Sequence, residues 1–208
     1  MNSIRLKPIL NAEKISVGDS KLFGNPDVWD GFEWPAIEEN GELYDLTFMC
    51  QLNCADIAPY DRDGLLPKTG MLYFFYDMDE MPYEPTNKCA AKVVYYNGDI
   101  SALREMRVVD ENGEDVSVSP MKLDFEIVPH GFLDDREPTH LLLGDPSLDY
   151  GTQYGVIDGW QMLLQIDSME TNEIFLNFTD EGVLCFYIEP EKLKNQDFSD
   201  VRIMQIYS

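Results

Sequence analysis

Leu22-Phe23-Gly24-Asn25-Pro26-Asp27 returns later in the chain as Leu142-Leu143-Gly144-Asp145-Pro146-Ser147. Downstream of the first lies Phe48-Met49-Cys50-Gln51-Leu52-Asn53, and downstream of the second Met162-Leu163-Leu164-Gln165-Ile166-Asp167. Then come Gly70-Met71-Leu72-Tyr73-Phe74-Phe75-Tyr76-Asp77 and Gly182-Val183-Leu184-Cys185-Phe186-Tyr187-Ile188-Glu189. The three pairs keep their order, at offsets of 120, 114 and 112 residues. Trimming loops between elements of fixed length gives such a drift, whereas chance does not give three ordered matches. The chain therefore reads as one domain over 1–208, made of two pseudo-repeats at about residues 15–100 and 125–208.

Each piece carries its own local physics. Gly-Asn-Pro and Gly-Asp-Pro are turn chemistry: glycine permits positive φ, the Asx side chain bonds nearby backbone, and proline fixes the exit. In the glutamine-bearing segments apolar residues fall on both faces, which predicts strands covered on both sides. Period two places Leu46, Phe48, Cys50 and Leu52 on one face, and Met49, Gln51 and Asn53 on the other. In the second copy Met162, Leu164 and Ile166 oppose Leu163, Gln165 and Asp167. Further strands are predicted over 92–96, 103–109, 122–128, 174–178 and 201–207, several ending at Asn-Gly or proline signals. Helix is scarce, with one or two turns expected over 190–195 and a second short helix over 138–143. The fold class expected is α+β and β-rich, internally duplicated, with largely antiparallel sheets and a few short helices.

Composition narrows the function classes. Thirty-nine acids against fifteen basic residues give a formal net charge of −24. No basic stripe offsets this, so phosphate backbones and anionic membrane surfaces are expected to be repelled. The acidity serves either solubility or attraction to a basic partner. Residues 1–14 hold Arg5, Lys7 and Lys14 without a continuous apolar core, so no secretory signal is read there, and the cytoplasm is the expected location. Cys50, Cys54, Cys89 and Cys185 lie on or near apolar segments in no metal-ligand or redox spacing, and read as reduced, packed thiols.

Few residues are placed for chemistry. There are two histidines, of which His130 between Pro129 and Gly131 reads as a turn residue, while His140 precedes the second Gly-Asx-Pro turn. No nucleophile elbow, phosphate-binding loop or dinucleotide fingerprint occurs. Asp61-Arg62-Asp63-Gly64 echoes a calcium loop without its remaining ligands. No cofactor and no metal is implied. The repeated Gln51 and Gln165 are the most informative polar residues, because an amide on a two-sided strand must find partners or cost about 1–3 kcal/mol. Either each pins the turn of its own copy, together with Asn25 or Asp145, or both face a cleft between the copies. The stretch Asp77, Asp79, Glu80, Tyr83 and Glu84 mixes acids with an aromatic, the composition of an anchor for a basic protein.

Gly24-Asn25-Pro26, Gly31-Phe32-Glu33-Trp34-Pro35, Cys50-Gln51-Leu52-Asn53, the run 65–77, the run 140–146 and Leu163-Leu164-Gln165-Ile166-Asp167 together resemble the YwqG-like family of bacterial proteins. The resemblance spans about residue 20 to the end, and Cys185 departs from it where the family usually has an aromatic. It implies an α+β fold with a duplicated core and no established activity. Two functional expectations follow. The first is a non-catalytic binding module whose acidic surface takes a basic protein partner, in the manner of an immunity or inhibitor protein. The alternative is a small-ligand-binding protein or enzyme that uses an inter-copy cleft with Gln51, Gln165 and His140.

Overall fold

The computed structural model describes residues 2–9, 12, 14–39, 41–83, 90–129, 131–134, 137–146, 157 and 159–206. In chain order its strands and helices are β1 (Ser3–Ile9), β2 (Lys21–Leu22), β3 (Asp27–Val28), β4 (Ala36–Glu39), β5 (Glu42–Asp45), β6 (Thr47–Asn53), α1 (Cys54–Ile57), β7 (Met71–Tyr76) and β8 (Ala91–Tyr96). There follow β9 (Arg104–Glu105), β10 (Met121–Val128), β11 (His140–Leu142), β12 (Gln161–Asp167), β13 (Met169–Glu170), β14 (Phe175–Leu176), β15 (Val183–Ile188), α2 (Pro190–Lys194) and β16 (Val201–Ile206). Strand dominates, as expected of a β-rich chain.

Ten strands form one antiparallel sheet in the order β16, β15, β12, β11, β1, β10, β2, β6, β7, β8. At its centre β1 pairs with β10, Ser3 opposite Val128 and Ile9 opposite Lys122. From β1 the sheet continues through strands of the second half of the chain, and from β10 through strands of the first. The sheet curls until its outer strands β8 and β16 approach. Side chains bridge that seam: Gln205 Nε2 donates to Tyr76 Oη at 2.9 Å and to the Met81 carbonyl at 3.0 Å. Tyr95 and Phe198 meet edge to face beside it.

The inside of the curl is the main core. Leu72, Phe74 and Tyr76 point in from β7, Leu184, Phe186 and Ile188 from β15, and Ile4 and Leu6 from β1. Phe74 and Phe186 pack edge to face at 5.4 Å between centroids. Burying each such side chain is worth about 1.5–3 kcal/mol. The outer faces are covered as well. Met71, Tyr73 and Phe75 lie beneath Trp29, Phe32 and Trp34, while Val183, Cys185 and Tyr187 lie beneath Phe132 and Trp160. That double cover explains why β7 and β15 are apolar at every position.

Four expectations are corrected. Phe48 does not share a face with Cys50 and Leu52, because a bulge between Phe48 and Cys50 shifts the register against β7. Phe48 turns outward beneath Trp34 while Met49, Cys50 and Leu52 stay inside. The same break occurs between Met162 and Leu164, putting Met162 outside with Leu164 and Ile166 inside. An inserted residue reverses side-chain alternation past it, which a strict period of two does not foresee. Residues 138–143 are not helical: His140–Leu142 is β11, held between β1 and β12. The stretch 103–109 is strand only at Arg104–Glu105, with an isolated bridge at Val109. His130, Cys89 and Glu84 lie outside the described residues.

Candidate functional site

The glutamine of β6 sits in a closed polar network. Gln51 Oε1 accepts from the Asp27 backbone N–H at 2.8 Å. Its Nε2 donates to the Asp19 carbonyl at 2.8 Å and to Asp27 Oδ2 at 2.6 Å. Asp27 also receives the Gly18 N–H and the Lys21 ammonium, the latter at 3.1 Å. Tyr73 Oη donates to the Asp27 carbonyl. Lys21 and Asp27 are both buried, so each depends on the other for its charge. The network fixes the chain on either side of the Phe23-Gly24 turn and leaves Gln51 enclosed.

Gln165 occupies the matching place on β12 and is equally buried. Its Nε2 donates to the Thr139 carbonyl at 2.6 Å, and Cys185 Sγ approaches its Oε1 at 4.0 Å. His140, fully buried on β11, accepts the Asp167 N–H on Nδ1 at 3.0 Å. The proton of the neutral ring then sits on Nε2, which has no hydrogen-bond partner among the described residues. Burial, aided by the Arg5 charge, pushes this imidazole down to about 4. Burial pushes the neighbouring Asp167 carboxyl up to about 6, against hydrogen bonds from the Thr139 and Ser168 backbone. Arg5 itself is buried over the Phe132 ring, ion-paired to Asp134 at 3.1 Å and Glu137 at 3.2 Å.

Burial raises the thiols of Cys50, Cys54 and Cys185, that of Cys54 to about 12, so none is an activated nucleophile. Among the described residues no group of three or more His, Cys, Asp and Glu is arranged to hold a metal ion.

The other expected residues lie at the surface or in support of it. Asp77 Oδ1 accepts the N–H groups of Asp79 and Glu80, closing a turn that leaves both of those acids exposed. Tyr83 is exposed, while its carbonyl accepts the Gln205 N–H at 3.3 Å. Asp145 is exposed beyond Gly144. Asn25 does something the sequence did not suggest. Its Oδ1 accepts the Val108 N–H at 2.7 Å and its Nδ2 donates to Asp115 Oδ2 at 2.9 Å, which anchors the hairpin-like segment 104–118. Hydrogen bonds from Ser117 and Asn25 hold the Asp115 carboxyl well below the usual carboxylate range.

That anchored segment is one wall of an open apolar groove of about 550 Å³. Met106, Val109, Val116 and Val118 line this wall, and Ile174, Phe175 and Leu176 of the β13–β14 hairpin line the opposite one. Trp34, Phe48 and Met78 contribute to the interior. Met78 brings the acidic turn at Asp77, Asp79 and Glu80 next to the groove. Phe175 is 75% exposed, because period two sends Ile174 and Leu176 into the core and Phe175 out. On the far side of the same hairpin lies an acidic depression of about 440 Å³, lined by Glu137, Asp167, Glu170 and Glu181. None of these cavities is lined by Gln51, Gln165 or His140.

Residues 20–205 match the model of a family described as a domain of unknown function, DUF1963. The chain belongs to this family. No curated protein matches it. The DUF1963 match takes in the sheet from β2 onward, both glutamines and both walls of the groove, and stops short of β1. No helix among the described residues is long and apolar enough to cross a membrane.

Sequence reasoning passed over the groove residues of this DUF1963 chain. The alternation Val116-Ser117-Val118 and the outward phase of Phe175 within 174–178 were readable signals. What was not readable is that two segments some sixty residues apart face each other.

Proposed function

We propose that this protein is a non-catalytic binding module of the cytoplasm that takes a segment of a basic protein partner into the groove between 104–118 and the β13–β14 hairpin. The observation that carries this reading is the groove itself, with Phe175 on its rim. Folding accounts for Ile174 and Leu176 but not for a large aromatic left in water beside exposed Met106, Val109, Val116 and Val118. A contiguous apolar patch with a polar rim is the signature of an interaction surface. The charge of the walls favours a cationic partner. Segment 104–118 holds five acids against two arginines, and 169–178 holds two acids and no basic residue. Arg107 is paired to Asp115 and Arg104 lies near Asp30, so neither cation stands alone. Immunity and inhibitor proteins act in this way, by occupying a basic partner without chemistry of their own.

The same proposal covers the architecture: a YwqG-like domain built by internal duplication. Phe23 and Leu143 share positive φ, as do Gly24 and Gly144. The Phe23 N–H bonds to the Met49 carbonyl as that of Leu143 bonds to Leu163. Gln51 reaches the Asp19 carbonyl as Gln165 reaches that of Thr139. The Asn53 N–H bonds to Ser20 Oγ as that of Asp167 bonds to His140 Nδ1. These pairs keep the 120 and 114 offsets of the sequence. They also give the glutamines a structural role, so the inter-copy cleft has no comparable observation behind it.

The test is site-specific photo-crosslinking in cells. A photoreactive residue at Val116 is expected to give one discrete adduct that Phe175→Asp abolishes, whereas the same residue at exposed Leu43 of β5 gives none. Equal adducts at both positions, or an adduct indifferent to Phe175→Asp, would overturn the groove as the binding surface.

A further inference from the structure

The groove and the acidic depression adjoin along β14. Phe175 and Leu176 line both. We infer that the bound segment is an extended stretch in which an apolar side chain enters the groove and a lysine or arginine close beside it enters the depression, astride Phe175. This rests on the binding reading above and names the chemistry of its partner.

The spacing supports a short, extended ligand. Side chains at i and i+2 of a strand share a face about 7 Å apart, the scale of one intervening aromatic ring. The apolar side is prepared: its walls are valine, methionine and isoleucine, held in place by Asn25 and by Trp34, whose Nε1 donates to the Leu46 carbonyl. The cationic side is prepared too. Glu170 and Glu181 are exposed and enter no ion pair with a described cation, while Glu137 shares Arg5. Asp167 is half-buried, and its carboxylate accepts from the Thr139 backbone instead of from a cation. Burial raises Asp167, which is what a carboxylate lacking a counter-charge does. An incoming ammonium or guanidinium would supply that charge. An arginine would also lie against the exposed face of Phe175, a cation–π arrangement that strengthens as the contact is desolvated. The apolar anchor would then set affinity, and the acids would set association rate and partner choice.

Fluorescence anisotropy with the full chain tests this, using a labelled octapeptide of two Leu-Ser-Lys-Ser repeats, in which leucine and lysine stand at i and i+2 on one face. Peptides with glutamate in place of each lysine, and with serine in place of each leucine, serve as comparisons. The leucine–lysine peptide is expected to bind at least tenfold tighter than either. Phe175→Ala is expected to weaken it tenfold or more without disturbing the fold, since the side chain is exposed. Glu170→Gln with Glu181→Gln is expected to weaken it and to flatten its salt dependence. Asp63→Asn with Glu191→Gln, which removes the same charge away from this surface, is expected to change it less than twofold. Equal binding of the serine–lysine peptide, or equal loss from both acid pairs, would reduce the effect to general charge and overturn the inference. If the leucine–lysine peptide fails while Val116 still crosslinks specifically in cells, the apolar–cationic chemistry is wrong and the binding surface stands. If both fail, neither stands.

Discussion

His140 and Asp167 are hydrogen-bonded neighbours whose titrations oppose each other. The histidine, lowered to about 4 from an ordinary 6.5, binds its proton more readily in the unfolded chain. Its contribution therefore rises with pH between about 4 and 6.5 and is constant above. The aspartate, raised to about 6 from 3.8, binds its proton more readily in the folded chain, so its contribution falls as pH rises between about 3.8 and 6. In the wild type the two slopes largely cancel over that window. Single substitutions are expected to expose them. His140→Asn, whose amide oxygen can still accept the Asp167 N–H, should make the protein less sensitive to acid between pH 6.5 and 4, and Asp167→Asn more sensitive. Denaturant titrations at pH 4.5 and 7 read the difference. Parallel pH profiles for both variants and the wild type would show that neither group titrates as its burial dictates. Asp27 is buried more completely than Asp167 and is joined there by Lys21 at 3.1 Å.

At the scale of elements, the turns that flag the two halves are where backbone geometry tolerates least. Gly24 has φ of +75°, and a Cβ there would stand 2.5 Å from Pro120 Cβ. Gly31 has φ of +84° with open space around it. Gly31→Ala is expected to lose only the left-handed backbone penalty, about 1–2 kcal/mol. Gly24→Ala adds a clash with a rigid ring and should lose distinctly more, in chemical or thermal denaturation. Equal losses would mean that the backbone at Pro120 yields freely. The Gly-Asx-Pro turns, the glutamine strands and the aromatic strands were legible because each carries a local chemical signature. The bulges at Met49 and Leu163 were not, since an inserted residue leaves no mark on composition and yet reverses which residues face the core beyond it. β11 was misread because its strand state is imposed by β1 and β12 on either side, a non-local cause. β1 was missed although Ile4 and Leu6 alternate with Arg5 and Lys7, a period-two pattern that was open to reading. Of the surface argued to bind a partner, the acidic turn at Asp77 was visible in sequence, whereas its place beside the groove depends on tertiary packing.

For the whole molecule the dominant fact is a net charge of −24, its acids lying mostly outside the strands of one nearly closed sheet. Bringing so many like charges together opposes folding, and the unfolded chain relieves it by expanding. Salt screens this repulsion: the Debye length falls from about 30 Å at 0.01 M to about 8 Å at 0.15 M. The fold should therefore gain stability over that range of sodium chloride. The exposed ion pairs, such as Lys194–Glu191 and Lys7–Glu126, are too few and too solvated to reverse the sign by their own screening. A gain of about 1–3 kcal/mol corresponds to a rise in Tm of roughly 2–12 °C for a chain of this length. Binding of a cationic segment should respond in the opposite sense, because the same screening removes the attraction that draws it in. Opposed salt responses of stability and binding are what a functional acidic surface predicts. Thermal melts and peptide anisotropy across the same salt series measure both. A Tm that does not move would mean that the acids are spaced widely enough to ignore one another, and the charge would then have no cost for recognition to offset.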